Sequence, residues 1–397
     1  MNGSEEKQGP LAGIRVIDTT SVISGPGAMG ILCDQGAEVI KVESPGGDIM
    51  RARGDTPGMT PGFITCNRGK RSLAIDLKQD RAKEILWRLI EGADVFAQNF
   101  RPGVAERLGF DAGEALARNP GLIYLSINGV GESGPYAGKR VYDPVVQALS
   151  GLTDIQADPE TGRPRMIRTL VADKTTAIYA AQAVCSALVA RARTGRGQHV
   201  RLSMLDTMVS FIWPEGMAGH TRVDDPRPDA LASAHDMIFP TRDGWVTIGA
   251  LSDREWQALC KAIDRPELIE DPRFATPAGR ARNRQVRMEE VEASLGDKDS
   301  ATLLAELEAA DVPCAPVLSR REMLSDPQVA ANGLIQEIEQ PDFGLVRQPR
   351  AAARFQETPV GPVPTAPALG EDSESVLREL GLDADEIATL RADGVIR

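Results

Sequence analysis

A chain of 397 residues with 42% hydrophobic side chains can fill more than one core, so two domains are the starting expectation. Its 45 lysines and arginines stand against 57 aspartates and glutamates. The resulting net charge of −12 excludes a general nucleic-acid binder, though not an anionic ligand held in a local basic pocket. The five cysteines (Cys33, Cys66, Cys185, Cys260 and Cys314) form no C-x-x-C, which fits reduced thiols better than a zinc site or a disulfide framework. The histidines are His199, His220 and His235, so a mechanism that needs an N-terminal histidine does not fit. The opening MNGSEEKQGP lacks the apolar stretch of a secretory signal. The uncharged run between Lys174 and Arg191 is shorter than the ~20 apolar residues of a spanning helix. A soluble, cytoplasmic protein with no membrane partner is expected.

In chain order, IRVIDT (14–19) reads as a strand, AMGILCDQGA as a helix and EVIKVE (38–43) as a second strand. RSLAIDL (71–77) is a third strand. DRAKEILWRLIEGAD follows as a helix, with Ala82, Ile85, Leu86, Leu89 and Ile90 on one stripe. DVFAQNF and LIYLSING are further strands, separated by RPGVAERLGFDAGEALARNP. This alternation predicts an α/β fold, a doubly wound and mostly parallel sheet with helices on both faces. A helical pattern runs from Asp173 to about Arg193 and closes at TGRGQ; HVRLSMLD then opens a strand or a helix entry. A polar, turn-rich stretch reads as a linker. MIFPTRDGWVTIGA is hairpin-like, with Asp-Gly at its turn, and leads into the helices of a second region. A proline-rich crossing, TPVGPVPTAPALG, precedes a final helical stretch, SESVLRELGLDADEIATL.

The glycines of GPGAMG, Gly25, Gly27 and Gly30, match G-x-G-x-x-G, and Glu43 ends the next strand. In a dinucleotide fold the first glycine directly follows the strand. Here Thr19 to Ser24 intervene and Pro26 occupies a variable position, so a turn leading into a tightly packed helix is the better reading.

Several ordered phrases together resemble the family III CoA-transferases, the CaiB/BaiF-like group that includes the formyl-CoA:oxalate and carnitine CoA-transferases. They are PLAGIRVID, SGPGAMGILCDQGAEVIKVESPGGD, NRGKRSLAIDLK, NFRPGVAERLGF, YDPVVQALSG, VADKTTAIYAAQAVCSALVARARTGRGQHV, DVPCAPVLS and PALGEDSESVLRELGL, spread over nearly the whole chain. The resemblance implies a large CoA-binding α/β domain from residues 1–205 plus 335–397, a linker at 206–224 and a smaller α+β domain at 225–330. It also implies an interlocked homodimer whose site lies between the large domain of one chain and the small domain of the other. The expected reaction moves CoA from an acyl-CoA donor to a small carboxylic acid. Acyl-CoA is then a substrate, and no cofactor or metal is bound permanently.

The family's nucleophile is an aspartate, and the matching position is Asp173. Read on its own, Asp173 is an N-cap of the helical segment it opens, and a helix N-terminus favours the ionised carboxylate. The resemblance places CoA contacts at Ile23 and Ser24, at Ile75, Asp76, Leu77 and Lys78, and at Asn99, Phe100 and Arg101. It adds Arg107, Arg140, Val141, Tyr142 and Asp143. Ser44 departs from the arginine found in members that hold the nucleotide from that side. The glycine-rich loop of the oxalate enzyme is also missing, because Met237-Ile238-Phe239-Pro240 run straight into the hairpin. A racemase of the same superfamily would need a histidine where Tyr142 stands, and residues 121–150 contain none. A CoA-binding protein without catalysis is the alternative from another class.

Overall fold

The computed structural model describes residues 8–52, 58–158, 160–224, 237–250 and 252–397. Strands β1 (Arg15–Asp18), β2 (Glu38–Glu43), β3 (Arg71–Ala74), β4 (Val95–Gln98), β5 (Ile123–Asn128) and β6 (Gln198–Ser203) form one sheet in the order β3-β2-β1-β4-β5-β6. All five neighbouring pairs are parallel. Alternate residues feed opposite cores, as a sheet covered on both faces requires. Val16, Val39, Val95 and Ile123 pack with the first helix, Ser24–Asp34, and the long helix, Val171–Thr194. Ile17, Ile40, Phe96 and Tyr124 pack on the other face, with the helix Asp80–Glu91. That helix buries Ala82, Ile85, Leu86, Leu89 and Ile90, the stripe read from the sequence.

The C-terminal segment shares this second core. Val376, Leu377, Ile387, Leu390 and Val395 join it, and Ile396 bridges Ile75 in antiparallel fashion. The final helical stretch is two helices, Ser373–Glu379 and Ala384–Ala392. They are broken at Gly381, whose φ of 84° suits glycine, and Asp383 starts the second with a capping box.

The chain divides into two units, Met1–Asp229 with Gly333–Arg397, and Ala230–Asn332. The linker expected at 206–224 is corrected in its first half, because Met204–Gly216 is helical. Ser203 caps that helix by accepting from Asp206 N–H, and Met204, Met208 and Ile212 are buried beside Val146 and Ala172. In the smaller unit, β7 (Ile238–Pro240), β8 (Trp245–Ile248) and β9 (Cys314–Pro316) form an antiparallel sheet, with β8 between the others. The Asp-Gly hairpin turn closes through Thr241 N–H to the Gly244 carbonyl at 3.0 Å. Trp256, Leu259, Phe274, Leu303 and Leu307 fill the core of that unit.

The glycines of GPGAMG lie inside the first helix rather than in a phosphate-binding turn. A Cβ on Gly25 would stand 2.3 Å from Thr20 Cβ, so the loop after β1 folds back against the helix only over a glycine. Gly25→Ala is therefore expected to lower the unfolding free energy by about 1–3 kcal/mol. At exposed Gly46 the nearest atom to a new Cβ is Ser44 Oγ at 3.8 Å, and alanine there should change stability by less than about 0.5 kcal/mol. Urea titrations of the two variants check this; coincident midpoints would contradict it.

Candidate active site

In an open parallel sheet, ligands gather beyond the carboxyl ends of the strands, where the strand order reverses. Here that point lies between β1 and β4. A cavity of about 230 Å³ sits there, lined by the loop after β1, by Asn99–Pro102 after β4, by Asn128–Gly131 at the end of β5, and by Lys139–Tyr142, Asp173 and Met204. Among the described residues, Arg101, Lys139 and Arg140 are its cations and Asp173 is its one carboxylate. The cavity is thus locally cationic within an acidic chain.

Asp173 is not the N-cap expected from the sequence. Leu170 occupies that position without a side-chain cap, and Asp173 is the third residue of the helix. The capping comes from elsewhere in the chain: Asp143 Oδ2 accepts the Asp173 backbone N–H at 3.1 Å. Asp143 is fully buried, and its Oδ1 accepts from Gln147 Nε2 at 2.6 Å. Gln147 Oε1 in turn accepts Ile167 N–H at 3.0 Å, which ties the segment before the long helix to this carboxylate.

The Asp173 carboxyl is pushed up to about 6, first by burial and then by the nearby Asp143 charge. The Ser24 hydroxyl and backbone N–H beside it pull it back toward the ionised form. Burial and the neighbouring acid outweigh the helix N-terminus, contrary to the expectation from sequence. Asp173 is buried among polar partners yet lines the cavity, which is the setting of a reactive carboxylate.

A second cleft, of about 400 Å³, shares Ser21 and Phe100 with the first and is lined by Ser44 and by Ile75, Asp76, Leu77 and Lys78. The sequence-derived residues thus divide between two adjoining clefts. Ser24, Asn99, Phe100, Arg101, Arg140, Val141 and Tyr142 line the first, and Ile75 to Lys78 line the second. Ile23, Arg107 and Asp143 line neither. Ile23 is the N-cap of the first helix, Arg107 belongs to the helix Val104–Leu108, and Asp143 stands behind Asp173. Asn128, Gly129, Gly131 and Lys139 line the first cavity and were not anticipated, although SINGVG directly follows a strand end. Glu43, the acid a dinucleotide fingerprint would use, is buried and holds Arg51 through Oε1 at 2.7 Å and Oε2 at 2.8 Å.

Among the described residues, no histidine lines the Asp173 cavity. His199 lines a neighbouring space, with its Nε2 2.8 Å from Ser126 Oγ; His235 lies outside the described residues. No group of residues able to hold a metal ion occurs among the described residues, and no helix there is long and apolar enough to cross a membrane.

A family model described as CoA-transferase family III matches residues 11–373. The chain is 33% identical to the mouse (Mus musculus) succinyl-CoA:glutarate CoA-transferase, over 98% of this chain and 90% of that one. It is 34% identical to a succinate–glutarate CoA-transferase of Agrobacterium fabrum, over 96% of this chain and 98% of the other. Among solved structures, a CaiB/BaiF family protein from Brucella suis superposes with a TM-score of 0.82 at 33% identity, covering 94% of this chain and 100% of that chain.

A carboxyl whose pKa is higher folded than unfolded binds its proton more tightly in the fold. The stability linked to it is fully present below the unfolded value of 3.8 and is lost as pH rises through about 6. Asp173→Asn removes that loss. The variant should be more stable than the parent by about 1–3 kcal/mol at pH 8 and nearly equal to it at pH 4. Denaturant titrations at the two pH values check the difference, and a variant less stable at pH 8 would contradict it.

Proposed function

The chain belongs to CoA-transferase family III and is a CoA-transferase, and on that premise we propose that Asp173 carries the acyl exchange covalently. Its carboxylate attacks the acyl-CoA carbonyl, forming a mixed anhydride and releasing CoA thiolate. The thiolate then attacks the aspartyl carbonyl, giving an aspartyl-CoA thioester and freeing the donor acid. The acceptor carboxylate displaces CoA from that thioester, and the thiolate completes the exchange at the acceptor's acyl carbon. Each bond made is matched by one broken, and no base, metal or redox group takes part. The observation that carries this reading is the placement of Asp173 as the one carboxylate, among the described residues, of a cavity lined by Arg101, Lys139 and Arg140.

CoA would run from the second cleft, where exposed Lys78 can meet a phosphate, past Phe100 to Asp173. Among the described residues no ion pair engages Lys78, Arg101, Lys139 or Arg140, so these cations remain available to phosphates and carboxylates. Short dicarboxylates such as succinate and glutarate, named for the mouse and Agrobacterium relatives, suit such a site, because a second carboxylate finds a cation there. The working form in this reading is an interlocked homodimer. Exposed Leu170, Ile178, Val189, Phe211 and Trp213 supply apolar surface for such an association to cover.

Incubation with succinyl-CoA and no acceptor should leave a CoA-sized adduct on the peptide containing Asp173, read by mass spectrometry. Asp173→Ala should lose both the adduct and the exchange; full exchange by that variant would sink the assignment. Attack requires the ionised carboxylate, so kcat/KM should fall about tenfold per pH unit below about 6 and level off above it.

A further inference from the structure

Ser24 is the first residue of the Ser24–Asp34 helix, and it lines the same cavity as Asp173. Its backbone N–H is one of the donors a helix start leaves without an intrahelical partner. Both that N–H and the Ser24 hydroxyl lie beside the Asp173 carboxyl and favour its charged form. The residue is only 5% exposed, so both donors act where water competes little. The two helices meet closely because Gly27 faces Ala177: a Cβ at Gly27 would lie 3.3 Å from Ala177 Cβ.

The loop that delivers Ser24 has its polar groups paired at almost every step. Thr19 N–H and hydroxyl both donate to the Ala97 carbonyl, at 2.9 and 2.8 Å. Thr20 N–H donates to Asp18 Oδ1 at 2.9 Å, and the Thr20 carbonyl accepts from buried Lys41 Nζ at 2.9 Å. Ser21 and Asn99 exchange two hydrogen bonds, of 2.9 and 2.8 Å. Val22 is held at a φ of 73°, which a β-branched residue adopts only under constraint, with its N–H 3.3 Å from Asp48 Oδ2. Lys70 Nζ joins Asp18 Oδ2 to the Pro26 carbonyl, at 2.8 and 2.9 Å. So many constraints on one short loop fix the position of the residue at its end.

We propose that the Ser24 hydroxyl is a catalytic residue that, together with its own backbone N–H, holds the negative charge developing on the Asp173 carbonyl oxygen. This rests on the reading of Asp173 as the nucleophile. The oxygen that accepts from Ser24 is the weaker nucleophile, so the other oxygen attacks the acyl-CoA and the Ser24-bound oxygen remains as the carbonyl. When CoA thiolate attacks the aspartyl carbon, the C–S bond forms and the π pair moves onto that oxygen, between the two donors. Its return breaks the bond to the leaving donor acid. The acceptor carboxylate later repeats the step, with CoA thiolate as the leaving group. Ser24 keeps its proton throughout, and its hydrogen bond shortens as charge builds, which is the signature of oxyanion stabilisation.

The test is Ser24→Ala, with Ser24→Cys as an isosteric weak donor if the alanine variant folds poorly and Ser24→Thr as the rescue. With succinyl-CoA and glutarate as probes, alanine should lower kcat about 100-fold with the acyl-CoA KM nearly unchanged, and threonine should regain most of it. The acidic limb of the kcat/KM profile should also move to higher pH, because a hydrogen bond favouring the ionised carboxyl is lost. A kcat within twofold of the parent, or a loss confined to KM, overturns the proposal. If the parent forms the Asp173 adduct and Ser24→Ala forms it equally fast, the Ser24 inference alone falls. If the parent forms no adduct, the nucleophile reading falls with it.

Discussion

One interaction governs the rest: an ionised carboxylate is held at the meeting point of two helix starts with an acid behind it and donors in front. Asp143 takes the backbone N–H of Asp173 and adds a like charge, while the Ser24 hydroxyl and backbone N–H favour the charged form. The first influence raises the energy of the charged form and the second limits that rise. A carboxylate in water is a poor nucleophile because its hydration must be stripped away first. In this cavity most of that desolvation has already been done by folding, at the expense of stability rather than of substrate binding.

Beneath the site, Lys41 of β2 pairs with Asp48 and Asp18 of β1 pairs with Lys70, buried ion pairs that join the strands to the loops around them. Burial on its own would discharge such groups, but each is paired. Lys70 Nζ makes three hydrogen bonds, to Asp18, Asn67 and the Pro26 carbonyl, yet burial still pulls its ammonium down. Asp18 is held below the ordinary carboxylate range, because Lys70 and Lys41 together offset its desolvation. Such networks seldom add net stability relative to apolar packing, but losing a single partner is costly, roughly 3–5 kcal/mol. Their value here is geometric, since the same lysines hold the Thr20 and Pro26 carbonyls on either side of Ser24.

Much of the frame was legible in the sequence because it depends on periodicity. Alternating strand and helix signals predicted the parallel sheet, and the Ala82 to Ile90 stripe marked a buried face residue by residue. The Met204–Gly216 helix was legible only as a strand or helix entry at HVRLSMLD, because Pro214 and the adjoining polar stretch masked the spacing of Met204, Met208 and Ile212. Within the site, the family resemblance singles out Asp173, but nothing in the sequence describes its environment. Its real cap, Asp143, lies 30 residues away in sequence, and no local spacing reveals that two carboxyls will be buried together. Lys139 and the Asn128–Gly131 loop became lining residues only through the sheet topology that brings β5 beside β4.

The central claim is that folding holds the Asp173 carboxyl where its charged form is disfavoured, rather than in an ordinary solvated state. A pH titration of the carboxylate stretch by infrared difference spectroscopy, parent minus Asp173→Asn, reads that state without any substrate. A midpoint near 6 is the predicted result. A midpoint at or below the ordinary aspartate value of 3.8 would contradict the account.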